Sequence, residues 1–127
     1  MEQIILNHFN PFHRLCTGKP GIWLTRLRLG LSALNIHRFK YNFIDSPNCP
    51  YCLNTNETLK HYLFECPTHS IARNNFLQRL HSELDVDTQN RELLIKIILE
   101  DETMNPRNFT LLLSIVFEYL INSNRFH

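Results

Sequence analysis

The amino-acid sequence predicts a mainly α, small helical domain organised around a cysteine-rich turn, and three observations carry that expectation. Apolar residues recur at three- and four-residue intervals from residue 22 onward, the spacing that gathers them on one face of a helix. No segment of any length alternates apolar and polar residues as a half-buried strand does. Three of the four cysteines and one histidine fall within residues 49–66, "CPYCLNTNETLKHYLFEC".

A chain of 127 residues, 43% hydrophobic and 20% charged, has the length and composition of one globular domain. Its core is small enough for a metal clip to add noticeably to stability. The formal net charge is +1, but the charges are unevenly distributed. Residues 1–60 carry seven cations against three anions, and the remainder six against nine. Between Arg14 and Lys40 there are six cations and no carboxylate, an asymmetry that suggests a face for an anionic partner, nucleic acid first. An ordinary solvated face explains the same charges. The amino terminus shows no basic region followed by a long apolar run, and "LLLSIVF" at 111–117 is too short to span a bilayer. The expected setting is therefore intracellular, nuclear or cytoplasmic, where cysteines stay reduced and Cys-x-x-Cys is read as metal-binding or redox.

Taken in order, residues 1–21 form an irregular segment, with Pro11, Gly18, Pro20 and Gly21 interrupting any helix. Cys16, outside the cluster, is read as a buried small hydrophobe. Residues 22–48 are basic and amphipathic: Leu24, Leu27, Leu31 and Leu34 make the stripe of one helix, or of two broken near Gly30. "DSPNCPYC" is a loop by composition. Glu57 to Glu65 reads as a short helix that stops at Cys66, because Pro67 disfavours helical geometry in the residue before it. Residues 67–127 form a helical bundle segment, so that 22–127 make one domain. A helix beginning with Pro67 in its first turn shows Ala72, Phe76, Leu77, Leu80 and Leu84. "LDVDTQN" is a polar connection, and "RELLIKIILE" buries Leu94, Ile97 and Ile98. Asn105 caps a last helix whose apolar face is Phe109, Leu112, Leu113, Val116, Phe117 and Leu120.

The cysteine-rich turn poses a ligand problem. Structural zinc takes four thiolates or imidazoles in a tetrahedron, and Cys49 and Cys52 have the spacing that aims both sulfurs of one tight turn at one ion. Two sets complete it: Cys49–Cys52–His61–Cys66, or Cys49–Cys52–Cys66–His69. His61 and Cys66 lie about 140° apart around an ideal helix, so they converge only if the helix ends at Cys66. His69, in the first turn of the next helix, is also within reach, though the spacing slightly favours His61. Redox exchange would bring a thioredoxin-like alternation of strands and helices, which is absent. Four protein ligands leave no position for a water nucleophile, so the expected zinc is structural and the chain non-catalytic.

The same residues carry a family resemblance. "LTRLRLGLSALNIHRFKYNFIDSPNCPYC", "ETLKHYLFECP" and "EYLINSNRF" together resemble the carboxy-terminal zinc-knuckle region of the reverse transcriptase polyprotein of non-LTR (LINE-type) retrotransposons, over residues 22–126. The matching positions are Thr25, Arg26, Leu27, Arg28 and Gly30; Cys49 and Cys52; Glu57, Thr58, His61, Leu63, Cys66 and Pro67; then Arg73, Leu77, Arg125 and Phe126. Residues between Leu84 and Glu118 match only in helical character. The resemblance implies His61 as the fourth ligand, with His69 on the surface of the next helix. It also implies a tail that follows the polymerase, with that polymerase domain as partner and a role in target-primed reverse transcription. The catalytic motifs themselves are not in this sequence: Asp85-Val86-Asp87, the nearest approach to paired aspartates, is read as helix-capping and solvated.

The expected activity is therefore nucleic-acid binding, to RNA or DNA and weak for this chain alone. Arg26, Arg28, His37, Arg38, Lys40 and Tyr41 are the candidate contacts, cations for phosphates and an aromatic for an unpaired base. Trp23, Phe39 and Phe43 are interleaved with them, core packing being the other reading of Trp23 and Phe39. The alternative from a different class is a structural or docking zinc module for protein–protein contact, or a decayed or co-opted fragment without activity.

Overall fold

A computed structural model describes residues 18–99 and 104–127. The reading of residues 1–17 as irregular, and of Cys16 as buried, lies outside the described residues. The described chain is helical, as expected, and its only extended pairing is an isolated antiparallel bridge between Asn48 and Asn56.

Helix α1 spans Lys19–Leu29 and starts earlier than the prolines suggest. Pro20 and Gly21 sit inside its first turn, where a missing N–H costs nothing, so they open the helix rather than interrupt it. Gly30 ends it in the left-handed region at φ 71°, with Gly30 N–H donating to Leu27 O (3.2 Å) and Leu31 N–H to Arg26 O (2.8 Å). This closure breaks the leucine stripe. Leu24 and Leu27 are buried, Leu31 points to solvent, and Leu34 re-enters the core just before α2, Asn35–Lys40.

The loop after α2 leads through the cysteine turn into a wide helical turn, His61–Glu65, in which Cys66 N–H donates to His61 O five residues back (2.8 Å). Cys66 is extended, as a residue before proline should be. A tight turn at Pro67–His69 then feeds helix α3, Ser70–Leu84. Asp85, left-handed at φ 53°, closes α3, and Asp87 caps the connection by accepting from Gln89 N–H (2.9 Å). Helix α4, Arg91–Leu99, buries Leu94, Ile97 and Ile98 as expected. Helix α5, Pro106–Asn122, is capped by Asn105, whose side chain accepts from Asn108 N–H at 2.9 Å.

The core lies between α3 and α5, with α1 laid against α5. Phe76 of α3 meets Tyr119 of α5, their rings standing 4.9 Å apart, and Leu80 of α3 is buried in the same core. Helix α5 is more buried than its predicted face: Ile115 and Tyr119 are buried too, while Phe117 is only partly so. Tyr62, from the wide turn, sits at the centre. Its ring lies 5.2 Å from that of Tyr119 and 5.4 Å from that of Phe126, and its hydroxyl is 2.6 Å from Ser123 Oγ. The knuckle region is thus packed into the core through Tyr62, Leu63 and Phe64 rather than appended to it.

Candidate metal centre

Two short elements present the four ligand groups. In the first, Cys49 N–H donates to Thr55 O (2.6 Å), Leu53 N–H to Cys49 O (3.1 Å) and Asn54 N–H to Cys52 O (2.6 Å). Leu53 takes a left-handed φ of 58°, and the Asn48 amide donates to Leu53 O at 2.5 Å. This knuckle turns Cys49 and Cys52 toward one point. The second element is the wide turn. A bond from residue 66 back to residue 61 stacks those two residues, where an ordinary helix would leave them far apart. Thr58 Oγ1 accepts from His61 N–H (3.0 Å) and fixes the start of the turn.

Cys49, Cys52, His61 and Cys66 therefore form one cluster, with every ligand atom within 4.8 Å of the others. Cys66 Sγ lies 3.8 Å from both Cys49 Sγ and Cys52 Sγ. Zinc–sulfur bonds of roughly 2.3 Å at tetrahedral angles put sulfurs about 3.8 Å apart, so the spacing fits that ion. Cys49, Cys66 and His61 are buried, and neither ring nitrogen of His61 has a hydrogen-bond partner. Two orphaned buried nitrogens are costly unless something occupies one of them, and a ligated metal is such an occupant. Glu65 approaches His61 Nδ1 at 3.9 Å, too far for a hydrogen bond.

Without a cation, burial and the neighbouring thiols push the Cys52 thiol up to about 11, and burial likewise raises that of Cys49. Hydrogen bonds from the backbone of Tyr51 and Cys52 pull the other way on Cys49. A divalent ion inverts this balance, because a coordinating thiol gives up its proton. The residues thus fit a structural zinc: three thiolates and one imidazole would hold it, leaving no protein-free position for water.

His69, the other candidate fourth ligand, is not in the cluster and not on the surface. It is buried, with its ring edge-on to Tyr51 (5.7 Å, 87°) and Tyr62 (5.2 Å, 73°). The tight turn at Pro67 carries it inward onto the aromatic core, which the surface placement implied by the resemblance did not foresee.

Two residues that the resemblance matched without giving them a role turn out to be supports. Arg73 is buried, and its guanidinium donates to Leu63 O (2.9 Å) and to the carbonyl of Cys66 itself (2.6 Å). Glu57 is 1% exposed. Its carboxylate accepts from Asn35 N–H at the start of α2 (2.7 Å) and from Arg125 Nε and Nη2, both at 2.6 Å. Arg125 also donates to Ala33 O (2.9 Å). The beginning of α2, the approach to the wide turn and residue 125 are thereby tied at one point.

Of the candidate nucleic-acid contacts, Arg26, Arg38, Lys40 and Tyr41 are exposed. Arg28 is instead partly buried, donating to Ile98 O of α4 (3.1 Å), so the basic stripe is narrower than expected. His37 is turned back on its own loop, with Nδ1 2.7 Å from Ser32 Oγ and accepting from Ser32 N–H (3.2 Å). Burial and Lys40 hold its imidazole below the usual histidine range, which favours the neutral ring as an acceptor. Trp23 packs against the core, whereas Phe39 and Phe43 are exposed. No described helix is long and apolar enough to cross a membrane. Comparisons with known protein families, with characterised proteins and with solved structures found no match.

Proposed function

We propose that the chain is a non-catalytic, zinc-stabilised nucleic-acid-binding module from the carboxy-terminal region of a non-LTR retrotransposon reverse transcriptase. The observation that carries the metal half of this reading is the closed Cys3His cluster with its two 3.8 Å sulfur separations. The nucleic-acid half rests on the surface between α1 and the knuckle. There Arg26, Arg38 and Lys40 stand exposed beside exposed Phe39, Tyr41 and Phe43. Cations that track a backbone, with rings beside them, suit a flexible anionic strand. The retrotransposon origin is supported by sequence resemblance. The signature positions Thr58, Arg73 and Arg125 also turn out to brace the metal turn rather than to stand as isolated matches.

The test is binding of a fluorescently labelled single-stranded oligonucleotide to zinc-loaded protein across a salt series. Affinity should be weak, fall steeply with salt, and drop with Arg26→Ala and Arg38→Ala. No binding at low salt would overturn the nucleic-acid half. A docking module is the second reading, favoured by an apolar hollow of about 420 Å³ on the outer side of α5, lined by Phe117, Ile121 and four polar neighbours.

A further inference from the structure

Between α1 and residues 125–127 lies a cavity of about 280 Å³, lined by Trp23, Arg26, Ser32, Ala33, Arg38 and the Arg125–His127 segment. This volume is just under the roughly 300 Å³ at which pockets for drug-sized ligands begin, which suits something the size of a single base. Trp23 is held in place by Phe126, ring centroids 5.9 Å apart, while remaining part of the cavity wall. Arg125 is already neutralised by Glu57. Arg26 and Arg38 form no ion pair among the described residues, so the wall keeps two uncommitted cations beside an indole. Arg38 and Arg125 also line a larger hollow, of about 690 Å³, that runs to Pro50, Tyr51 and Leu53 on the metal knuckle.

We infer that this cavity takes one unpaired base of a single-stranded nucleic acid, stacked on Trp23, with the flanking phosphates on Arg26 and Arg38 and the strand continuing toward Tyr51. The inference rests on the nucleic-acid reading above and narrows it to single strands, because a base inside a duplex must first be unstacked and unpaired and an unpaired base need not. An indole wall recognises a π-face and not a particular base, so sequence preference is slight.

Trp23 is the only tryptophan, so its fluorescence reports on the cavity directly. The zinc-loaded full chain is titrated with three probes: a single-stranded oligothymidylate, the same strand carrying abasic sites, and a duplex of equal length. Labelled-strand anisotropy and Trp23 emission are both recorded. The inference expects quenching of Trp23 by the intact strand and a loss of about 5- to 150-fold in affinity for the abasic strand, the worth of one stacked base. Arg38→Ala should flatten the salt dependence by about 0.7 in logarithmic slope. Trp23→Phe keeps a ring for folding and stacking and should bind more weakly than the parent but more tightly than Trp23→Leu. Equal anisotropy for strand, abasic strand and duplex, with Trp23 emission unchanged, overturns the pocket and leaves nucleic-acid binding standing. No anisotropy change with any probe at low salt overturns both. Quenching by polyglutamate but not by oligothymidylate assigns the cavity to an acidic protein segment and overturns the base assignment.

Discussion

His61 and His69 are both buried imidazoles with neither ring nitrogen bonded to protein, yet only His61 meets the three thiols. Elemental analysis of His61→Ala should therefore show the zinc lost, and His69→Ala should retain one ion per chain. Loss on His69→Ala alone would place the site elsewhere. Spacing separates the two histidines only slightly, because what decides between them is a backbone bond from Cys66 to His61 that no residue type announces. The same limit hid Arg73. As a letter it is one more cation on a helix, but in the fold its planar fork satisfies two carbonyls at once. Arg73→Met should cost about 2–3 kcal/mol in denaturant unfolding of the zinc-loaded protein, since both buried acceptors lose a charged donor. Arg73→Lys should recover little, having no fork to span both oxygens.

Among the elements, the later helices were the most legible. Asn105-Pro106 and the spacing of Leu94, Ile97 and Ile98 follow from capping and periodicity, which act within a few residues. The segment around Gly30 was legible only as a pair of options, because a left-handed glycine can end a helix or be carried through it. What could not be read was the join between elements, and Glu57 is the instance. Its neighbours suggest a solvated helix start, whereas its partners are Asn35 and a guanidinium 68 residues away. Removing one member of a buried pair strands the other charge. Arg125→Ala and Glu57→Gln should each cost about 3–5 kcal/mol by chemical denaturation. The double variant should cost less than the sum of the two, as a double-mutant cycle will report. Additive losses would mean that the pair does not act as one unit.

For the molecule as a whole, the knuckle supplies Tyr62, Leu63 and Phe64 to the common core, so metal and fold should fail together. Chelation at neutral pH should abolish the cooperative thermal transition rather than lower it by a few degrees, followed by circular dichroism. Acid should do the same, because thiolates and a neutral imidazole must be kept unprotonated for the ion, and affinity falls as pH falls. At the alkaline end the sign reverses through a different group. Burial holds the Tyr119 phenol well above its ordinary value, so the folded chain keeps that proton longer than the unfolded one. Stability from this source is complete below pH about 10 and declines as pH rises beyond it. An unfolding transition that is flat between neutral pH and strong alkali would contradict that burial. The tie between Glu57 and Arg125 also has a consequence in time. At roughly 5–20 residues per second, a ribosome makes Arg125 about 3–14 s after Glu57. Cys66, the last of the four ligand residues, also precedes Arg125, so for most of that interval the nascent knuckle has all four of its ligands and still carries a carboxylate whose cation has not been synthesised, and the finished fold waits on translation.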